Sequence, residues 1–480
     1  MNSFEKNGYR FEDTTHQLGG PGDIDYLKRT FADLELTDLP LVRSRYLFEA
    51  CLAGDSGIEH RYLIPSDRNE LQRELSRRFP GESAQIEGFL DSIEGVHGDL
   101  TRLMRLQREK NKLPILHDSI TALLMMRARK GGALWKLGAS SYKHLVKHGN
   151  ETYAEMIDSF SPRLASVLSQ YWPFVGVPPS RTPAILMAMI WNTYLRGGPH
   201  HVVGGTGRLI ERLVSSVTDN GGEILYGTPV KTIVVDGNRA KGVITDDGSF
   251  FEASSTVSNI STHRTFLELM EPSLLPDGFV DRIRELEMSP SAFQVYVGAS
   301  LRFEDFGFQS STMFMSFSED VESQYSMAVK GPKKTTPMFV TNFSMLDADA
   351  APKGCCSFLI CELDSFDRWK NLTRTEQELL EEDTQKFMME KFERVTGMPI
   401  RQKAAVVHSW NPLTIMRHSS GIKGEIYGPA AIPGQSLRRR TPQITPIRDL
   451  HLVGAYAQQG HGVCTVLDSG VLLGKLLAKG

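Results

Sequence analysis

A small-residue loop near the C-terminus carries the residues best suited to chemistry. The stretch Leu450–Leu477 begins with a short apolar run, continues from Gly454 to Gly462, and takes helical spacing from Val463 onward. A strand, a glycine-containing loop and a helix start, in this order, direct backbone N–H groups and the positive end of a helix dipole at a ligand. The stretch therefore predicts a cradle for an anionic group, with His461 as a candidate catalytic residue inside it.

A second candidate for acid–base chemistry lies near the N-terminus. His16 stands three residues before the glycine pair Gly19 and Gly20. A histidine changes charge close to neutral pH and can donate or accept a proton in a reaction. The alternative for a lone histidine is a structural side chain whose hydrogen bonds are satisfied. We therefore treat His16 as a candidate catalytic residue.

Neither the histidines nor the cysteines are spaced as metal ligands. His200 and His201 have no partners at metal spacing, and no two cysteines form a CxxC pair. An odd number of cysteines with this spacing is typical of reduced thiols in a reducing compartment. We therefore expect no metal site and no disulfide framework. The cysteines are Cys51, Cys355, Cys356, Cys361 and Cys464.

The composition indicates a soluble protein of more than one domain. The chain has 480 residues, of which 40% are hydrophobic and 23% charged, and a chain of this length exceeds a usual single core. Its 54 basic and 57 acidic side chains give a net charge of −3, so a nucleic-acid binder is excluded. The basic run Arg438–Arg440 predicts a solvated loop. Contact of that run with phosphate or anionic lipid is the alternative.

No targeting or membrane-spanning segment is visible, so we expect a cytoplasmic protein. The N-terminal stretch is polar and mixed in charge. The longest apolar run, Ala184–Trp191, is far shorter than the ~20 residues that cross a bilayer. Thr182 before Pro183 predicts a helix start with an N-cap and a first-turn proline. That helix is either buried or lies at a membrane surface.

The N-terminal half combines one hairpin with a mainly helical region. Phe4–Phe11 predicts a tight hairpin with Asn-Gly at its turn. Between residues 67 and 194 the apolar spacing is helical, with predicted helices at Ser83–Met104, Leu116–Arg127 and Tyr153–Ser169. The segment Gly204–Gly207 precedes another helix and invites a dinucleotide-binding interpretation. That interpretation fails, because the third glycine position of the GxGxxG pattern is Ile210.

The second half begins with β-structure. Asp-Gly turns between alternating apolar runs predict a β-meander. Thr373 and Glu376 form a capping box that predicts a helix extending to Val395. The predicted strands are Glu223–Leu225, Pro229–Val235, Gly242–Thr245 and Phe250–Val257, followed by the buried strands Ser291–Leu301 and Cys356–Leu363.

Three motifs carry a resemblance to a known family. They are FEKNGYRFEDTTHQLGG at residues 4–20, the GGTGRLIERL segment that continues through the meander to SNIS at residue 261, and DLHLVGAYAQQGHGVCTVLDSGVLLGKLL at residues 449–477. In this order they resemble the FAD-dependent amine-oxidase-like superfamily. The branch they resemble contains phytoene desaturase, carotenoid isomerase and retinol saturase. The helical part is similar to the isomerase and saturase end of that branch, so the resemblance covers nearly the whole chain.

The resemblance implies a fold and a cofactor. The fold would be mixed α/β, with a Rossmann-like FAD-binding domain, a β-meander and an inserted helical and mixed substrate domain. The FAD-binding domain would comprise residues 1–66, 200–264 and 425–480, and the substrate domain residues 67–199 and 265–424. Such proteins also begin with a strand, a GxGxxG loop and a helix, a unit of roughly 30 residues. The printed sequence contains no GxGxxG, so we expect this unit to be missing upstream of Asn2.

The same resemblance assigns residues to the cofactor. Val230, as a buried strand residue, would contact the adenine through its main chain. Gly454, Ala455 and Gly460 would lie beneath the pyrophosphate and ribityl chain, although the family often has an acidic residue where this chain has Ala455. Gly462 and Val463 would open the helix that faces the flavin ring, where N–H groups stabilise the negative charge of a reduced flavin. Gly19, Gly20 and His16 would lie near the ring.

Three functions follow from these features. The first is an FAD-dependent oxidoreductase that desaturates, saturates or isomerises a long apolar substrate of the carotenoid, retinoid or isoprenoid kind, with peripheral membrane contact as an accompanying expectation. The second is a flavin-free relative that binds or escorts an apolar lipid. The third is amine oxidation, with Tyr427 and Tyr456 as candidates for an aromatic cage. For the first function, the residues expected to line an apolar tunnel, with ordinary core packing as the alternative, are Met187, Met189, Trp191, Met313, Phe314, Met315 and Phe317.

Overall fold

The computed structural model describes residues 3–13, 17–109 and 142–478. His16 and the predicted helix Leu116–Arg127 therefore lie outside the described residues. The strands are β1 (Ser3–Lys6), β2 (Tyr9–Glu12), β3 (Leu18–Gly19), β4 (Leu41–Arg43), β5 (Tyr46–Ala53), β6 (Ile58–Pro65), β7 (Pro199–Val202), β8 (Val230–Asp236), β9 (Arg239–Thr245), β10 (Phe250–Glu252), β11 (Thr256–Ser258), β12 (Ser291–Ala299), β13 (Thr312–Ser316), β14 (Met338–Asn342), β15 (Cys356–Asp364), β16 (Ala404–Trp410) and β17 (Leu450–Leu452).

Helices cover both faces of the strand layers. Within the described ranges, no helix is long and apolar enough to cross a bilayer. The helices are α1 (Asp25–Asp33), α2 (Arg68–Arg78), α3 (Ser83–Glu109), α4 (Lys143–His148), α5 (Tyr153–Met156), α6 (Pro162–Leu168), α7 (Trp172–Val175), α8 (Ala184–Leu195), α9 (Gly207–Asp219), α10 (Asp277–Arg284), α11 (Val321–Ala328), α12 (Arg374–Thr396), α13 (Ile400–Lys403), α14 (Pro412–Ser419) and α15 (Val463–Leu477).

A seven-stranded mixed sheet forms the largest layer. Its order is β16-β12-β15-β14-β13-β5-β6, and all neighbours are antiparallel except β13 and β5. Strands β12 and β15 are buried along their whole length, as predicted for Ser291–Leu301 and Cys356–Leu363. Side chains alternate between the faces: Phe293 and Val295 pack in one core, and Tyr296 packs in the other.

Helix α12 covers one face of this sheet. Thr373 and Glu376 make both hydrogen bonds of the predicted capping box, and the helix ends at Gly397 with a φ of 73°. Its buried side chains Met388 and Phe392 pack in the same core as Phe293. The helical region containing α3 and α8 covers the opposite face, so the sheet is enclosed on both sides.

Smaller strand groups lie beside the large sheet. β11 and β17 form a parallel pair, β3-β7-β4 an antiparallel sheet, and β8-β9-β10 the expected meander. The prediction for Glu223–Leu225 is wrong, because this stretch is irregular. The prediction of one strand at Phe250–Val257 is also wrong. β10 pairs with the meander and β11 with β17, so the chain changes sheets between them.

Two predicted helices have different bounds. The helix predicted for Tyr153–Ser169 is divided into α5 and α6, because Pro162 cannot donate a backbone hydrogen bond inside a helix and instead occupies a first turn. The Ser161 side chain caps that turn. Helix α8 begins at Ala184 rather than Pro183, and Thr182 is extended, as a residue before proline prefers.

The predicted N-terminal hairpin is present and closes the loop before α9. The Thr206 backbone N–H donates to Glu12 Oε2 at 3.0 Å, and its hydroxyl donates to the same oxygen. The Gly204 N–H donates to Asp347 Oδ2 at 2.6 Å, and the Gly207 N–H to Ser3 Oγ at 3.0 Å. Two carboxylates and a hydroxyl thus take the donors that a phosphate would need, which explains why this glycine-rich loop is no dinucleotide cradle.

Candidate functional site

A cavity of about 200 Å³ lies where α8, the start of α15, β3 and the segment before β17 meet. Its wall combines hydrogen-bond donors on one side with aliphatic and aromatic side chains on the other. Among the described lining residues, none is Asp or Glu. They are Gln17, Gly19, Tyr26, Phe174, Leu186, Met189, Ile190, Thr193, Tyr194, Tyr427, Ala431, Ser436, Leu437, Arg440, Gln459, Gly460, His461, Gly462, Val463, Cys464 and Thr465.

The start of α15 presents an uncapped helix end to this cavity. Gly462 is the N-cap and has no side chain to accept from the first-turn N–H groups, so these donors are available to a ligand. Its φ of 100° and the φ of 86° at Gly460 are conformations that glycine adopts without strain. The predicted residues Gly460, His461, Gly462 and Val463 therefore form one continuous wall.

Gly19 completes the cavity from the N-terminal side. A Cβ at this position would lie 2.3 Å from Thr193 Cγ2, so only glycine lets β3 pass so close to α8. Its carbonyl accepts from Cys464 Sγ at 2.7 Å. Burial raises the pKa of that thiol to about 12, so it stays protonated. Gly20 does not line the cavity, and its absent Cβ leaves room for the His200 ring.

His461 lies half-buried in the cavity wall as a neutral ring. Its Nε2 lies 3.0 Å from the Phe174 carbonyl, and its ring centroid is 4.5 Å from that of Tyr427. A carbonyl only accepts, so Nε2 carries the proton and Nδ1 is an acceptor. Burial, followed by the positive charge of Arg440, lowers the pKa of His461 to about 4. The ring therefore accepts a hydrogen bond at neutral pH.

Arg440 is the largest departure from the sequence predictions. The run Arg438–Arg440 was predicted to be solvated, but Arg440 is only 5% exposed. Its Nε donates to the Ala457 carbonyl at 3.1 Å, its Nη1 to Pro429 at 3.2 Å, and its Nη2 to Ala455. The prediction is wrong for Arg440 because backbone carbonyls distant in sequence replace its water. Three successive arginines gave no local signal of this burial.

The opposite wall is apolar. Phe174, Leu186, Met189 and Ile190 line it, together with Tyr194, whose ring stacks on Tyr171 at 5.1 Å. Of the seven side chains predicted to line a tunnel, Met189 lines this cavity. The other six pack in the cores: Met187, Trp191, Met313, Phe314, Met315 and Phe317.

The two tyrosines considered for an amine-binding cage do not meet in the cavity. Tyr427 lines it beside His461. The Tyr456 hydroxyl instead donates to Glu425 Oε1 at 2.5 Å, away from the lining residues. A protonated amine would therefore find the Arg440 cation and no lining carboxylate, which is unfavourable for its charge.

Three other predicted cofactor residues lie outside the cavity wall. A Cβ on Gly454 would lie 2.0 Å from Asn259 Oδ1, so glycine is needed where the chain leaves β17. The Ala455 carbonyl accepts from Arg440. Val230 begins β8 and is 38% exposed. The expectation that Val230 is buried is therefore wrong, while its adenine contact stays a prediction.

The comparison with protein families identifies the family of this chain. A family model described as flavin containing amine oxidoreductase matches residues 52–472. The chain belongs to this family. The description of the family names a flavin, so the cavity can be tested against that cofactor.

Several curated relatives of this chain are named for reactions of carotenoids and retinoids. Prolycopene isomerase of Arabidopsis thaliana is 26% identical over 303 residues, covering 61% of this chain and 48% of that protein. The chain thus spans about half the length of that relative. 1-Hydroxycarotenoid 3,4-desaturase of a Flavobacterium strain is 21% identical, covering 99% and 91%. All-trans-retinol 13,14-reductase of Rattus norvegicus is 23% identical, covering 94% and 75%.

Solved structures confirm the predicted mixed α/β fold. An oxidoreductase from Methanosarcina mazei matches with a TM-score of 0.57 and 15% identity, covering 99% of this chain and 90% of that chain. A redesigned putrescine oxidase matches with a TM-score of 0.55 and 14% identity, covering 99% and 89%. At these identities the likeness concerns the fold alone.

The cavity residues fit the ring side of a flavin. The uncapped N-terminus of α15 and the Arg440 guanidinium supply positive potential on one side, which stabilises the negative charge of a reduced flavin ring. The buried Oε1 of Gln17 has no hydrogen-bond partner within the described part of the chain, so it is an acceptor left for a ligand. The glycines at 19, 460 and 462 line the cavity without side chains that would occupy it.

Proposed function

We propose that this chain is an FAD-dependent oxidoreductase acting on a long, uncharged polyene of the carotenoid or retinoid class. The observation that carries the proposal is a single cavity in which an uncapped helix end and Arg440 face an apolar wall, with no carboxylate among the described lining residues. The names of three relatives point to the same substrate class. The desaturase and the reductase among them support redox chemistry rather than binding alone.

FAD would be held by residues from three segments. Val463 and the following first-turn residues would donate N–H groups to the ring edge, while Gly460 and Gly462 let the cofactor approach the backbone. Gly454 and Ala455 would lie below the pyrophosphate and ribityl chain, with Gly19 and Gly20 near the ring. Val230 would contact the adenine. When bound, FAD supplies the acceptance or delivery of a hydride.

The chain's own groups would orient the polyene and exclude water. An apolar surface binds an uncharged hydrocarbon in preference to a polar, hydrated group. Here it is formed by Phe174, Leu186, Met189 and Ile190. His461 Nδ1 would accept a hydrogen bond from a polar end of the substrate or from a neighbouring group. It does not donate a proton as imidazolium at neutral pH, because its pKa is lowered to about 4. His16 is the proposed acid–base residue.

A two-part organisation accompanies this function. Residues 1–66, 200–264 and 425–480 would form the cofactor unit, and residues 67–199 and 265–424 the substrate unit. The protein would work in the cytoplasm and touch membranes peripherally to reach a substrate dissolved in lipid. Flotation with phosphatidylcholine vesicles, with and without a dissolved polyene, tests that contact. Recovery of the protein only in the bottom fraction of both gradients would contradict it.

Cofactor binding is the first experimental test. The purified chain is mixed with FAD, passed through a desalting column and examined by absorbance, with FMN as the matched comparison. Retained flavin bands with FAD are the expected result, because the family is described by its flavin and because helix N–H groups and the Arg440 guanidinium face the cavity. A protein that emerges colourless after incubation with either flavin contradicts the proposal.

A further inference from the structure

Arg440 carries a buried positive charge without an ionic partner. Its guanidinium is 5% exposed and hydrogen-bonds to three backbone carbonyls. None of the ion pairs of the described residues includes it, and none of the described residues that line the cavity is Asp or Glu. Carbonyl dipoles satisfy its N–H groups but do not neutralise its charge, so the burial is costly as long as no anion is present.

Two other cations with little exposure are each paired with a carboxylate. Lys391, in the core beneath the large sheet, lies 2.7 Å from Glu362 Oε1. Arg10, near the loop before α9, pairs with Asp347 at 2.5 Å. Both pairs place a carboxylate against a cation that has lost water. Arg440 differs from both in having no carboxylate partner among the described residues. It is also the one of the three that lines the cavity.

The guanidinium lies against the loop that faces the cavity. A Cβ placed on Gly460 would be 3.6 Å from Arg440 Cδ and Nε. Its bonds to Ala455 and Ala457 hold the first half of the same loop. Its charge also contributes to the lowered pKa of His461, so its field reaches the residues that open α15.

We propose that Arg440 is the electrostatic partner of the flavin ring: its charge is balanced by the negative charge that the ring gains on reduction. This inference rests on the proposed function. Two-electron reduction with uptake of one proton, the balance of a hydride transfer, leaves one negative charge on an initially neutral ring. A fixed cation at the cavity edge stabilises that charge without reorganisation. The three carbonyl bonds make Arg440 rigid enough to do so.

The test is a redox titration of the flavin bound to the wild type and three variants. R440Q keeps N–H donors and a planar amide but removes the charge, whereas R440K keeps the charge. R439Q is the matched control, because Arg439 is exposed and its hydrogen bond within the described residues goes to the Pro433 carbonyl. For R440Q we expect reduction to become at least tenfold less favourable, a midpoint potential more negative by 29.6 mV for a two-electron couple. R440K and R439Q should stay within threefold of the wild type.

Each outcome decides one question. A wild type without flavin bands contradicts the proposed function itself. Flavin-bound R440Q with the wild-type potential overturns the role of Arg440. So does an R440Q protein with unchanged potential that loses more affinity for FAD than for riboflavin, because the charge of Arg440 would then act on the pyrophosphate. If R440Q does not fold, R440K decides: a tenfold less favourable reduction in R440K overturns the inference, because the charge is still present.

Discussion

Glu12 accepts two hydrogen bonds from Thr206, one from the backbone N–H and one from the hydroxyl, and so closes the N-terminus of α9 with a buried carboxyl. This contact joins the N-terminal hairpin to a loop 194 residues away in the chain. The carboxyl is buried, and burial raises its pKa to about 7. The contact therefore makes the stability of the protein depend on pH.

The first prediction follows from Glu12. Its pKa rises on folding from 4.5 to about 7, so the folded state holds this proton more tightly than the unfolded one. The protonated form thus stabilises the fold below about pH 4.5, and that contribution is lost as the pH rises through about 7, a change of about 3 kcal/mol. In E12Q the contribution is absent. Urea unfolding at about pH 5 and about pH 8 gives the free energy of unfolding of both proteins. Between the lower and the higher pH, E12Q should gain stability relative to wild type, and an equal difference at both pH values contradicts the prediction.

The second prediction concerns the contact between β3 and α8. G19A places a Cβ 2.3 Å from Thr193 Cγ2, so overpacking should cost about 1–3 kcal/mol. T193S removes that methyl group, and the double variant should recover most of the loss. Thermal unfolding of the three variants measures this. Equal destabilisation of G19A in both backgrounds would show that the close approach is not the cause.

The third prediction concerns the uncapped helix end. Gly462 has a φ of 100°, so G462A should be strained by about 1–3 kcal/mol and bind FAD roughly tenfold more weakly. G434A is the control, because a Cβ at that position meets no atom within 4 Å. Quenching of flavin fluorescence gives both dissociation constants. Unchanged affinity in G462A would argue against a cofactor at the start of α15.

The fourth prediction concerns the buried ion pair between Lys391 and Glu362, which lies outside the cavity. Lys391 and Glu362 lie 2.7 Å apart and are buried, so K391M leaves an unpaired carboxylate and should destabilise the fold by about 3–5 kcal/mol. The double variant K391M/E362L should recover part of that loss. Denaturant unfolding tests both proteins. A K391M protein as stable as wild type would show that Glu362 is neutral without its partner.

Local sequence signals were sufficient for several elements. The Asn7-Gly8 hairpin, the capping box at Thr373 and the rejected GxGxxG at Gly204 depend on neighbouring residues, and the structure confirms them. Ser161-Pro162 was also a readable helix start, so the division of the predicted Tyr153–Ser169 helix was available from the sequence. These features need no knowledge of distant segments.

Long-range burial was not predictable in the same way. Arg440 is buried because carbonyls from Pro429, Ala455 and Ala457 surround it, and nothing in an arginine run encodes those partners. Val230 looked like a buried strand residue, yet it lies at the start of β8 with 38% of its surface exposed. In both cases tertiary context, not residue type, determined the exposure.

The central claim is tested most directly by anaerobic mixing of the FAD-loaded protein with a polyene. Absorbance is recorded after adding retinol or a carotenoid, with putrescine as the comparison. Loss of the oxidised flavin bands with a polyene, or return of the bands when a polyene is added to chemically reduced protein, is the predicted result. Putrescine should leave the spectrum unchanged, because the described cavity wall offers no carboxylate to an amine cation. Bleaching by putrescine with no response to any polyene would contradict the account.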